Sequence, residues 1–386
     1  MNKIVRDFVN YVVSSCPQND KERVKKAIQE KFFLTKDRSV FYCQNFAVRV
    51  SYTKTNSFSN TVLSLSALQK FDNIPFFVIL VSAISKNKIF LANTTFLSKI
   101  SHSSQQLSMI NIKGSFNGSD ISKEYHGIEN NAQNFEKLFA YHTGVSWEDN
   151  LERLVDATSQ IEGTGKKFAI NSQIRNNIYA SINRAKDFIN SDNFIKLNKD
   201  LDNRVKISTE LIMVASRIEN VNVRGRLIEA LVTSDENTRA KLKQALAKTE
   251  TELPIYDTKN GLGDYRVSFP NGDTYTDIKT KIVYLDSNPK AFNIDKFLEV
   301  MSEKNSVFLF YFIGIDENEI VNTALCSVYH KELTETTVKQ FHWAGRNSRG
   351  VTQFIGKTLN DILNTKAFKN IIDEQSAKRF IDNLID

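Results

Sequence analysis

Only three cysteines and five histidines occur among the 386 residues. Cys16, Cys43 and Cys326 make no Cys-x-x-Cys pair, so they read as reduced, buried thiols of a cytosolic protein. His102, His126, His142, His330 and His342 show no close-spaced zinc pattern. Long apolar runs are also missing. The longest, residues 74–84, is interrupted by Pro75 and Ser82. It is too short to span a bilayer and reads as a central strand, so no membrane association is expected. The first residues mix charges into an amphipathic helix, unlike a signal peptide. No repeat of solenoid period is present.

What is present is globular: 41% of residues are hydrophobic and 25% charged. The length suggests two domains, or one with a large extension. Fifty-one Lys and Arg against 44 Asp and Glu give a net charge of +7, which suits a polyanionic partner such as nucleic acid.

The N-terminal part reads as mixed α/β. Helices are expected near residues 4–13 and 20–33, the second capped by Asp20. Strands are expected at 40–52, 61–65, 76–84 and 88–92. Phe46, Val48, Val50 and Tyr52 alternate with Ala47, Arg49 and Ser51, as in a strand with one packed face. Residues 97–119 read as loop. A helix at 149–161 carries Leu151, Leu154, Val155, Thr158 and Ile161 at helical spacing. Gly163-Thr164-Gly165-Lys166-Lys167 is the clearest linker, placing one domain at 1–162 and a second at 163–386. Helices then follow near 174–189, 205–218, 223–234 and 235–249.

The chemistry concentrates after them. Gly261-Leu262-Gly263-Asp264-Tyr265-Arg266-Val267-Ser268-Phe269 and Thr274-Tyr275-Thr276-Asp277-Ile278-Lys279-Thr280-Lys281 read as a hairpin. Period-two alternation puts Asp277 and Lys279 on one face and Ile278 in the core. The hairpin returns Asp264 to the neighbourhood of Asp277. Two carboxylates are hard-oxygen donors suited to Mg²⁺, and a lysine beside them can position water or offset phosphate charge. An amphipathic helix at 293–303 and an apolar strand at 307–313, buried on both faces, come next.

Asp264, Asp277, Ile278 and Lys279, in the order hairpin, helix, buried strand, resemble the PD-(D/E)xK nuclease superfamily. The proline of that name is absent, Gly263 standing before the aspartate. The resemblance implies an α/β fold whose C-terminal core is a central mixed sheet flanked by helices, beside a separate mixed α/β N-terminal domain. It implies Mg²⁺ held by Asp264, Asp277 and the backbone carbonyl of Ile278, with Lys279 orienting the attacking water. Glu229, among Leu227, Ile228 and Leu231, resembles the helix glutamate that faces the metal site in many members. The rival reading of Glu229 is an exposed or salt-bridged helix residue.

A second segment, Phe341-His342-Trp343-Ala344-Gly345-Arg346-Asn347-Ser348-Arg349-Gly350-Val351-Thr352-Gln353-Phe354, reads as a ligand-facing loop. Its DNA-contact candidates are His342, Arg346, Asn347, Ser348, Arg349 and Gln353, since Arg can pair with guanine and Asn or Gln with adenine. The alternative is a surface loop. Residues 220–360 resemble the catalytic half of bacterial type II restriction endonucleases. That resemblance implies Mg²⁺-dependent, site-specific hydrolysis of double-stranded DNA in a bacterial cytoplasm, by a homodimer. Two other readings stay open: a repair or junction-cleaving nuclease of the same superfamily, and a non-catalytic DNA-binding protein on that fold. The first 150 residues are expected to read DNA or to regulate.

Overall fold

Strand Phe76–Ser82 buries all seven of its residues, and its alternation separates two cores. Phe77, Ile79 and Val81 belong to one, and Phe76, Val78 and Leu80 to the other. The computed structural model describes residues 3–55, 57–58, 61–103, 114–121, 124–163, 165, 167–218, 221–247, 262–317, 319–342, 347–365 and 368–386. The chain divides into two compact units, Met1–Lys166 with Phe341–Ser348, and Lys167–Gln340 with Arg349–Asp386. Among the described residues no helix is long and apolar enough to cross a membrane.

The first unit opens with α1 (Lys3–Ser14) and α2 (Lys21–Phe32). The Asp20 side chain accepts from the backbone N–H groups of Glu22 and Arg23, fixing the start of α2. Next come β1 (Thr35–Asp37), β2 (Val40–Tyr42), β3 (Ala47–Thr53), β4 (Thr61–Ser64), α3 (Leu65–Phe71), β5 (Phe76–Ser82) and β6 (Lys88–Leu91). Then β7 (His102–Ser103), β8 (Gly114–Asn117), α4 (Gly118–Ile121), α5 (Ala132–His142) and α6 (Trp147–Ser159) complete it. The main sheet runs β1-β2-β3-β5-β6, with β3 and β5 parallel. Phe8, Val24, Ile28 and Phe135 of α1, α2 and α5 pack on one face, and Leu68, Phe71 and Leu154 of α3 and α6 join the other core. Residues 40–52 are not one strand. The chain turns between Tyr42 and Ala47, with the Cys43 N–H bonded to the Phe46 carbonyl, so β2 and β3 form an antiparallel hairpin. The region 97–119 is not all loop, since β7 and β8 pair there.

The second unit begins with α7 (Ser172–Ile189), α8 (Asp192–Ser216), α9 (Val221–Thr233) and α10 (Glu236–Ala247). Helix α8 starts well before the expected residue 205. Its first turns are mostly polar, and only Leu197 and Leu201 continue the buried row that leads to Val205. The rest comprises β9 (Tyr265–Phe269), β10 (Gly272–Ile282), β11 (Lys290–Asn293), α11 (Ile294–Met301), β12 (Ser306–Ile315), β13 (Ile320–Ser327), α12 (Lys331–Thr336), β14 (Val338–Gln340), β15 (Val351–Gln353), α13 (Gly356–Asn364) and α14 (Glu374–Ile385).

Its central sheet is mixed, in the order β13-β12-β10-β9. β9 and β10 are an antiparallel hairpin, while β10 and β12 are parallel, paired from Asp273↔Ser306 to Ile282↔Ile315. All ten residues of β12 are buried, as expected of a strand covered on both faces. Two carboxylates of α8 tie it to this sheet. Asp200 accepts from the Tyr265 hydroxyl at 2.6 Å, and Asp202 from Tyr311 at 2.6 Å and Thr323 at 2.7 Å.

Candidate active site

The candidate residues meet where β9 stops pairing with β10. The last pair of that ladder is Tyr265↔Thr276. One residue earlier, the Asp264 N–H still reaches the Thr276 carbonyl at 2.9 Å. The Asp264 carboxylate then turns back, and its Oδ2 takes the Ile278 N–H at 2.8 Å. N–H and C=O of one strand residue point to the same edge. The Ile278 carbonyl therefore aims at the edge that β9 no longer pairs, beside Asp264.

Gly263 makes this geometry possible. Its φ is +80°, which proline, locked near −65°, cannot adopt. A Cβ there would lie 2.9 Å from Tyr275 Cβ and 3.0 Å from its Cα. Glycine, and not proline, is thus the residue this backbone requires.

Asp277 and Lys279 project from β10 on the same face, as period two demands, with Lys279 Nζ 2.8 Å from Asp277 Oδ2. Glu229 comes from α9, where Leu227, Ile228 and Leu231 are fully buried. Arg204 of α8 bonds the carbonyls of Val232 and Ser234 at the C-terminal end of α9. Glu229 lies close enough to Asp264, Asp277 and Lys279 to feel the charge of each.

Burial, then the charges of Asp277 and Glu229, push Asp264 up to about 8. Burial, with the Asp277 charge, also raises Glu229 above the usual carboxylate range. Burial works against the Lys279 ammonium, but Asp277, Asp264 and Glu229 outweigh it and hold the lysine above its ordinary value. Lys279 is therefore a lasting cation rather than a base. Three acids round one lysine leave an excess of negative charge that a divalent cation would relieve.

Among the described residues no three His, Cys, Asp or Glu side chains form a ready-made metal cage. Mg²⁺ does not need one, since it keeps several waters and takes one or two carboxylates. One oxygen of each aspartate is committed, to the Ile278 N–H and to Lys279. The second oxygens and the Ile278 carbonyl make a donor set that fits Mg²⁺.

The second segment behaves differently. Arg349 is a half-buried structural residue. Its Nη1 lies 2.6 Å from Asp295 Oδ1, with further bonds to the carbonyls of Phe168 and Ile385. Gln353 donates to the Asn288 carbonyl and accepts from Gln340, both at 2.6 Å. His342 and Ser348 bond each other at 2.5 Å, and Asn347 reaches the Gly165 carbonyl at 2.6 Å. Arg346 lies outside the described residues. The other five candidates are thus engaged within the protein. Their glycine-flanked, polar sequence carries no sign of Asp295, the partner that Arg349 finds.

Sequence reasoning also missed Asp200 and Asp202, whose polar helix offers no motif. No protein-family model matches the chain, and no curated protein matches it.

Proposed function

We propose that the chain is a Mg²⁺-dependent endonuclease that hydrolyses phosphodiester bonds in double-stranded DNA, of the type II restriction kind, acting as a homodimer. The observation that carries this reading is the meeting of Asp264, Asp277, Lys279 and Glu229 at the open edge of β10. A net charge of +7 fits a DNA partner.

The chemistry divides by charge. Asp264, Asp277 and the Ile278 carbonyl would hold Mg²⁺, which supplies Lewis-acid polarisation of the phosphate and of a water. Lys279, held protonated, orients the attacking water and offsets the charge gathering on phosphorus. Water oxygen bonds to phosphorus as the bond to the 3′ oxygen breaks, and the departing oxygen takes a proton from solvent water, leaving a 5′-phosphate and a 3′-hydroxyl. Glu229, whose carboxyl burial raises above the usual carboxylate range, is placed beside Asp264 and Asp277 to take the proton that water gives up. Base reading is not assigned to Arg349, whose guanidinium is held by Asp295.

That internal engagement favours a second reading, a nuclease of the same superfamily that recognises DNA structure rather than sequence. Incubating a long duplex and a branched junction with the protein and Mg²⁺ separates the two. Discrete duplex fragments support the restriction reading, and cuts confined to the junction support the second. No cleavage of either substrate would contradict both.

A further inference from the structure

Helix α8 carries two apolar rows. The inner row, Leu197, Leu201, Val205, Ser208, Ile212 and Ala215, is buried against the second unit's core. The outer row is Ile207, Leu211 and Val214, followed by Ile218 just past the C-cap residue Arg217. Ile207 is 65% exposed and Val214 50%, while Leu211 and Ile218 are half-buried at the edge of the unit's own core. Single exposed apolar residues need no explanation. A row at alternating spacings of four and three is the seam that a second helix covers.

The flanking charges identify that helix. Glu210 and Arg217 lie exposed beside the row, and neither side chain is engaged by another described residue. With two copies of α8 antiparallel about a two-fold axis between residues 212 and 213, Leu211 meets the partner's Val214 and Ile207 meets the partner's Ile218. The same register sets Glu210 opposite the partner's Arg217, and by symmetry twice. A parallel pair would instead set Glu210 opposite the partner's Ala215, which is buried in its own unit. Apolar and charged positions thus satisfy one arrangement together.

We propose that the outer row of α8 is the homodimer surface of this protein, pairing antiparallel with a second copy. The proposal rests on the nuclease reading only for its purpose. Helix α9, which carries Glu229, follows α8 directly, so the two-fold would set two catalytic sites about one axis, as a double-strand cut needs.

Sedimentation velocity of the full chain, without DNA or metal, tests it over a wide concentration range. The wild type should dimerise. Ile207→Glu and Val214→Glu, both at exposed positions, should be monomeric with unchanged thermal unfolding. Glu210→Arg should weaken association roughly tenfold or more at low salt. Adding Arg217→Glu to it should restore most of the loss. A wild type that stays monomeric, or a dimer that Ile207→Glu leaves intact, overturns the surface. A double variant no better than Glu210→Arg overturns the antiparallel register. A dimer that never cleaves DNA would count against the nuclease reading alone, and a cleaving monomer against this surface alone.

Discussion

Replacing Asp264 with Asn should stabilise the metal-free protein at alkaline pH while removing its cleavage activity. Asn keeps an acceptor for the Ile278 N–H but carries no charge. The Asp264 carboxyl is raised from an ordinary 3.8 to about 8. A carboxyl raised in the folded state favours folding fully below 3.8 and loses that contribution as pH rises through about 8. Each tenfold change in proton affinity is worth about 1.4 kcal/mol, so roughly four pH units set an upper limit of about 6 kcal/mol. Water entry and sharing of charge with Glu229 reduce this, and about 2–4 kcal/mol is the expected gap above about pH 8. Urea unfolding of both proteins in EDTA, from about pH 5 to about pH 9, measures it. The gap should open as pH rises, and Mg²⁺ should close it by stabilising the wild type alone. A stability difference that stays flat with pH would refute the argument that Asp264 is an acid held against like charges.

Lys279→Ala and Asp277→Ala should each lower the cleavage rate by several orders of magnitude, yet leave DNA affinity within about tenfold, as read by single-turnover kinetics and equilibrium titration. Ca²⁺ should support DNA binding without turnover, since it tolerates carboxylates but takes longer, looser geometry, and a gel-shift assay beside a cleavage assay checks this. Gly263→Ala should cost about 1–3 kcal/mol, because a side chain is strained at that φ and meets Tyr275, and it should displace Asp264 enough to slow cleavage. Arg349→Ala should destabilise by about 1–3 kcal/mol, because Asp295 loses its guanidinium partner and keeps only the backbone N–H groups of Phe168 and residue 349. Thermal unfolding with no change in sequence preference is the expected pair of results.

The site was legible where local periodicity alone fixes geometry. Alternation along β10 puts Asp277 beside Lys279, and the hairpin brings Asp264 back. The apolar run of β12 announced a strand covered on both faces. Legibility failed where a distant partner decides. The polar start of α8 hid a helix whose Asp200 and Asp202 are anchors, because their tyrosine and threonine partners lie far along the chain. Arg349 sat among glycines and polar residues as a ligand-facing arginine would, yet Asp295 of α11 captures it. Residues 341–348 belong with the first unit although the chain around them belongs to the second, a placement that no local pattern encodes. That glycine and not proline stands before Asp264 became intelligible only from the positive φ of Gly263.

The most direct test of the nuclease reading is a supercoiled plasmid treated with wild type and Lys279→Ala side by side, each in Mg²⁺ and in excess EDTA. Linear DNA with 5′-phosphate ends should form only with the wild type in Mg²⁺. Equal cleavage by the variant, cleavage that survives EDTA, or a folded wild type that leaves every plasmid intact would contradict the account.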